Sequence, residues 1–169
     1  MPGSLSPTQF ERNWAMLAHL TALLTLVVSL STGGLGAVAA LLVPLGMYVY
    51  FRERSPYVAF HALQATAFQS FTGIAFVLMA ALGSVVIAGA WVITVALSFV
   101  LVGLLLVPAS LVVTIVLAAG LLALPVAALV YAVRGAYLTY QGLPFDYPWV
   151  GALARRTMEA PVVSPVSSL

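Results

Sequence analysis

The chain has 169 residues, of which 63% are hydrophobic and 6% charged, with a mean hydropathy of +1.15, whereas a soluble domain carries about 25% charged residues. Such a composition excludes a soluble globule and points to an all-α, polytopic membrane protein. The six basic residues are all Arg, the acids are Glu11, Glu53, Asp146 and Glu159, and a net charge of +2 is too sparse for nucleic-acid binding. The absence of Cys excludes a disulfide, a thiolate metal site, an iron–sulfur cluster and a cysteine nucleophile.

Charged residues fall in three clusters: Glu11 and Arg12, then Arg52 to Arg54, then Arg134 to Glu159. None occurs in residues 55–133. A charge at mid-bilayer costs about 2.5–3.5 kcal/mol on insertion scales, so the clusters mark interfaces and the apolar runs between them mark spans. After a short tail of residues 1–8, Thr8 and Glu11 fit a capping box and Thr32-Gly33-Gly34 closes the run. A first helix is predicted over residues 9–31, an uncleaved span rather than a signal peptide. A second helix is predicted over residues 35–51, with a kink at Pro44, which pairs with the first as a hairpin. Arg12, Arg52 and Arg54 then share one face, and the positive-inside rule makes that face cytoplasmic.

Ser55 and Pro56 form a helix start, because Ser caps free N–H groups and Pro at the first helical position gives up no hydrogen bond. Two crossings in residues 56–134 keep every Arg cytoplasmic, whereas three fit the length better. Charge bias favours a four-span core with both termini cytoplasmic, in which residues 91–107 form a re-entrant or protein-covered segment. Five spans are the alternative. Beyond Arg134, residues 135–156 read as an interfacial aromatic segment. Tyr137, Tyr140, Tyr147 and Trp149, with Trp14 and Tyr57 near the other helix starts, are the expected interfacial anchors. Together residues 9–156 make a single transmembrane domain, followed by a flexible tail at residues 157–169.

Glu11-Arg12 is followed by His19 and Glu53-Arg54 by His61 at the same spacing, an echo that a parallel repeat of helical hairpins would produce. Seven residues of helix place each His ~10 Å deeper than its Arg, so both lie at one depth. Intramembrane histidines are candidate cofactor ligands or proton relays, and equally candidate packing groups hydrogen-bonded to neighbouring helices. Gln64, Phe68 and Thr72 continue a stripe from His61, with Gln69 at its side. Gln64, Gln69 and Thr72 make this the most polar membrane face available. Small residues at four-residue spacing, Ala18/Ala22, Gly36/Ala40, Ala119/Ala123/Ala127 and Ala128/Ala132/Ala136, mark close-packing faces.

No phosphate-cradling loop, paired acids at catalytic spacing, metalloprotease motif or Ser–His–acid set is present, so no catalytic or metal-binding residue is assigned and an enzyme is not expected. The sequence requires no cofactor. The blocks at residues 11–20, 54–65 and 140–151, with Phe-His-Ala-Leu-Gln at 60–64 and Tyr-Gln-Gly at 140–142, resemble small bacterial membrane proteins related to the chloroplast inner-envelope protein-import component. That resemblance implies a four-helix bundle with cytoplasmic termini and suggests a translocon-like context. The apolar stretch around residues 91–107 makes the middle of the chain longer than that family's.

The leading expectation is a non-enzymatic accessory or assembly subunit of a larger complex, energy-converting or translocating, in the bacterial cytoplasmic (inner) membrane. Its partners are the lipid bilayer and other transmembrane subunits, and homo-oligomerisation is compatible with the packing faces. The alternative is a protein- or solute-conducting pathway lined by the polar face of helices 1 and 3. A minor alternative is a haem-, pigment- or quinone-binding subunit using His19 and His61.

Overall fold

The computed structural model describes residues 6–159. Five helices account for most of them: α1 (Gln9–Ser31), α2 (Ala37–Phe51), α3 (Pro56–Ser98), α4 (Val102–Tyr140) and α5 (Val150–Glu159). No strand is present among the described residues. Three helices, α1, α3 and α4, are long and apolar enough to cross a membrane, and α2 is a shorter apolar helix. The expected tail at 160–169 lies outside the described residues, while residues 157–159 belong to α5.

The start of α1 follows from its sequence. Thr8 accepts the Glu11 N–H through its side chain, and the Glu11 carboxylate accepts the Thr8 N–H at 2.9 Å, so two orphan donors are satisfied. At the other end Gly33 and Gly34 adopt φ of +61° and +94°, which lets the chain reverse into α2. Pro44 sits inside α2 and is fully buried.

The chain divides into two compact units. The first takes residues up to 69 and from 131 onward, and the second takes residues 70–130. In the first unit, Ala15 and Ala18 of α1 and Ala59, Ala62 and Ala65 of α3 are wholly buried. Small side chains at these positions allow two backbones to approach closely. Glu11 of α1 bonds to Ser55, just ahead of α3, and further contacts between the two helices join His19 to His61 and Thr25 to Gln69. The numbering advances together along both helices, so α1 and α3 run parallel, and His19 and His61 share one level.

The second unit is a helical hairpin. Trp91 Nε1 donates to Thr114 Oγ1 at 3.0 Å, Thr94 and Ser110 share a 2.7 Å hydroxyl bond, and Ser110 Oγ donates to the Ala90 carbonyl at 3.4 Å. The partners converge toward a turn at residues 99–101, where Leu101 takes φ +64°. Two helices, not three, therefore occupy residues 56–140. Residues 91–107, expected as a re-entrant or covered segment, comprise the last turns of α3, the turn and the first turns of α4. On either side of the turn, helical hydrogen bonds satisfy the backbone groups within each helix.

Gly103 is buried where a Cβ would meet the Thr94 carbonyl and the Ser98 backbone, whereas Gly83 and Gly120 face open space. Gly103→Ala is expected to force the turn open and to destabilise the hairpin by about 1–3 kcal/mol. Gly83→Ala and Gly120→Ala should leave thermal unfolding in detergent unchanged or slightly raised. Equal melting of all three variants would contradict the close approach at the turn.

Candidate functional site

Three buried polar residues of the first unit, His19, His61 and Gln64, gather at the connection between α4 and α5. His19 Nε2 and His61 Nδ1 lie 3.1 Å apart, and His19 Nδ1 lies 3.0 Å from the Tyr147 hydroxyl. As neutral imidazoles the two rings share one proton, so one ring donates and the other accepts, and Tyr147 completes the chain in the matching sense. His19 and Gln64 are fully buried and His61 and Tyr147 are 2% exposed. Burial pushes the Tyr147 phenol above its usual range and keeps it a neutral hydroxyl.

Gln64 holds the backbone of the same connection. Its Oε1 accepts the Tyr147 N–H at 3.0 Å, while its Nε2 donates to Asp146 Oδ1 at 3.3 Å and to the Phe145 carbonyl at 3.5 Å. Asp146 is also paired with Arg155 of α5. Aromatic packing closes the site: the Tyr147 ring stacks on Phe68 at 3.9 Å, and Phe145 sits edge-on to His19 at 5.3 Å. Gly135 makes room, since a Cβ there would come within 2.6 Å of the Phe145 ring.

One turn further along, Gln69 Nε2 donates to Thr21 Oγ1 and Thr25 Oγ1 donates to Gln69 Oε1, both at 2.8 Å. Gln64 and Gln69 therefore spend their amides on interhelical and loop contacts, the packing role also open to them from sequence. Thr72, the third member of the expected polar face, lies in the second unit. His19 uses both ring nitrogens within the protein, so it does not fit as an axial haem ligand in this arrangement. Among the described residues no group of three or more His, Cys, Asp and Glu is placed to hold a metal ion.

The expected anchors separate into two kinds. Trp149, Tyr137 and Tyr140 are 84%, 60% and 49% exposed. Trp14 and Tyr57 are half-buried, Trp14 against Phe51 and Tyr57 with its hydroxyl 3.4 Å from the Thr139 carbonyl. Tyr147 is not on the surface at all. Its N–H donates to Gln64 and its hydroxyl bonds to His19, which hold it inward, a role hidden from a reading based on aromatic composition alone. Sequence reasoning also missed Phe145 and Asp146 and the cradling glycines Gly135 and Gly151. The signal was the recurrence of small residues opposite a Pro-Phe-Asp-Tyr-Pro segment.

The profile of the magnetosome magnetite crystal formation protein family (MamF/MmsF) matches residues 10–154. The chain belongs to this family. The match contains the motif blocks at 11–20, 54–65 and 140–151 and overturns the resemblance to relatives of the chloroplast import component. In this chain those blocks hold His19, the His61–Gln64 pair and the Tyr147 connection. The long middle of the chain, which departed from the other family, falls within the match. No curated protein and no solved structure matches the chain.

Removing the Gln64 amide leaves the Tyr147 N–H buried without its acceptor. Gln64→Leu is expected to cost about 1–3 kcal/mol and to expose residues 141–149 to protease in detergent. Gln69→Leu, which loses hydroxyl partners that can turn to nearby carbonyls, should cost about 0.6–1.7 kcal/mol without exposing that connection. Identical cleavage of the two variants would show that Gln64 does not hold the segment.

Proposed function

We propose that this chain is a non-enzymatic, multi-pass protein of the magnetosome membrane that takes part in magnetite crystal formation as an accessory or assembly subunit. The observation that carries the reading is the family match across residues 10–154. The geometry supports a structural role over a conducting one: His19, His61, Gln64 and Gln69 are bonded to one another or to neighbouring helices and do not line an open path. Apolar side chains such as Leu30, Leu42, Val77 and Leu105 face outward, as lipid or partner subunits require.

The proposed topology has four crossings, α1 to α4, with both chain ends on the cytoplasmic side. The two-helix connection between Pro56 and Tyr140 supports it, since an even number of crossings returns the chain to the side carrying Arg52 and Arg54. The cytoplasmic membrane is the other compartment to be tested.

Loss of the protein in a bacterium that carries it should change the size or number of its magnetite crystals by electron microscopy, with the tagged protein recovered in the magnetosome membrane fraction. Unchanged crystals, or a protein confined to the cytoplasmic membrane, would overturn the reading. Because the chain has no Cys, topology can be read with single cysteines. Glu53→Cys and Gln141→Cys should react with an impermeant thiol reagent from the cytoplasmic side, and Leu35→Cys and Phe99→Cys from the opposite side. Reaction of Gln141→Cys from the side opposite Glu53→Cys would establish an odd number of crossings between them.

A further inference from the structure

After α4 the chain turns back along the first unit. Gly142 lies at its end, where a Cβ would come within 3.2 Å of the Arg12 side chain. Five residues later Tyr147 reaches His19, which is ~10 Å along α1 from Arg12, and stacks on Phe68, which is ~20 Å along α3 from Ser55. Helix α5 then runs outward again. Arg155 lies over the Phe60 ring at 5.6 Å, and Met158 packs with Phe51, Val58 and Ala59 near the helix ends. Residues 141–159 thus enter beside the spanning helices and leave on the same side.

The faces of α5 are distinct. Val150, Gly151 and Ala154 are buried against the unit, whereas Leu153 is 59% exposed and Arg156 points away from the buried stripe. Trp149, at the entry to α5, is 84% exposed and holds φ at +61°, a conformation unfavourable for a residue with a Cβ. Its side chain thus lies outside, whereas Phe145 and Tyr147 are buried. Arg155 is paired with Asp146, while Arg156 makes no ion pair among the described residues. An aromatic, a Leu and an Arg on one outer edge match the headgroup zone, where Trp favours the boundary and Arg reaches phosphate.

We propose that the outer face of α5 is a phospholipid-contact surface, with Trp149 and Leu153 among the upper acyl chains and Arg156 on the headgroup phosphate. The same unit also exposes the apolar side chains Phe10, Tyr50 and Val43. The proposal rests on the reading that this unit is embedded in the membrane, and the test separates the two.

The full chain is placed in phosphatidylcholine–phosphatidylglycerol nanodiscs with one cysteine carrying an environment-sensitive fluorophore, at Leu153, Trp149, Val43 or Glu53. Emission is read with lipids bearing a nitroxide high on the acyl chain and, separately, with aqueous iodide. The expected result is a blue shift and loss of emission to the lipid nitroxide at Leu153→Cys, Trp149→Cys and Val43→Cys, and loss to iodide at Glu53→Cys. Lipid quenching at Val43 with water-like behaviour at both 149 and 153 would overturn the proposal and leave the membrane reading intact. Water-like behaviour at Val43 as well would overturn both. On the Leu153→Cys background, Arg156→Gln should reduce quenching by the lipid nitroxide, and unchanged quenching would remove Arg156 from the contact.

Discussion

The parallel approach of α1 and α3 is the constraint on which the first unit depends. Ala15, Ala18, Ala62 and Ala65 bring the two backbones together, and only then can His19 and His61 share a hydrogen bond at 3.1 Å. With His19 held through one nitrogen by His61, its other nitrogen is aimed at Tyr147, and Tyr147 in turn positions the connection into α5. Gln64 meets the same connection one turn along α3 from His61, so the helix pair presents an acceptor, a donor and a ring face to one inserted segment. An unmade bond at this depth is costly because no water replaces it, which makes the arrangement cooperative.

Much of this was legible from residue order. Thr8 and Glu11 announce the α1 start, and Ser55-Pro56 announces α3, because both are local rules of backbone satisfaction. The matched spacing of Glu11-Arg12 to His19 and Glu53-Arg54 to His61 placed the two histidines at one depth, and the parallel helices make them neighbours. The inward turn of Phe145 and Tyr147 was not legible. Aromatic residues between prolines look the same whether they sit at an interface or fill a groove. The difference lies in Gly135 and Gly151 and in the Gln64 amide, which are distant in sequence or uninformative alone. Short motif blocks also assigned the wrong family, because Phe-His-Ala-Leu-Gln encodes a packing solution and not a process.

Length and charge disagreed over residues 55–133, and the helices show why. At ~1.5 Å per residue, the 43 residues of α3 measure about 65 Å, roughly twice a ~30 Å hydrocarbon core. A length rule splits such a run into more crossings. No Gly or Ser within α3 ends it, since helical hydrogen bonds run through Gly73, Gly83 and Gly89 without interruption, and the turn comes only at residues 99–101. Helices that exceed the hydrocarbon thickness tilt, bend or thicken the bilayer, each at a modest cost per ångström.

The two units use polar groups differently, and the difference bears on function. The first concentrates histidine, glutamine and charged side chains in a bonded network, whereas the bonds joining the second unit's helices, from Trp91, Thr94, Ser110 and Thr114, cluster near its turn. Elsewhere along residues 70–130 the large side chains facing outward are apolar, as at Phe71, Val85, Val116 and Leu122. A conducting pathway needs polar groups with bonding capacity left for its cargo. In the first unit, Gln64 and Gln69 already commit both amide oxygen and amide nitrogen to the protein, and both nitrogens of His19 are engaged. Opening such a network to a solute would first break these bonds, whereas packing apolar faces against lipid or another membrane subunit breaks none. That energetic asymmetry supports the proposed accessory role over a conducting one.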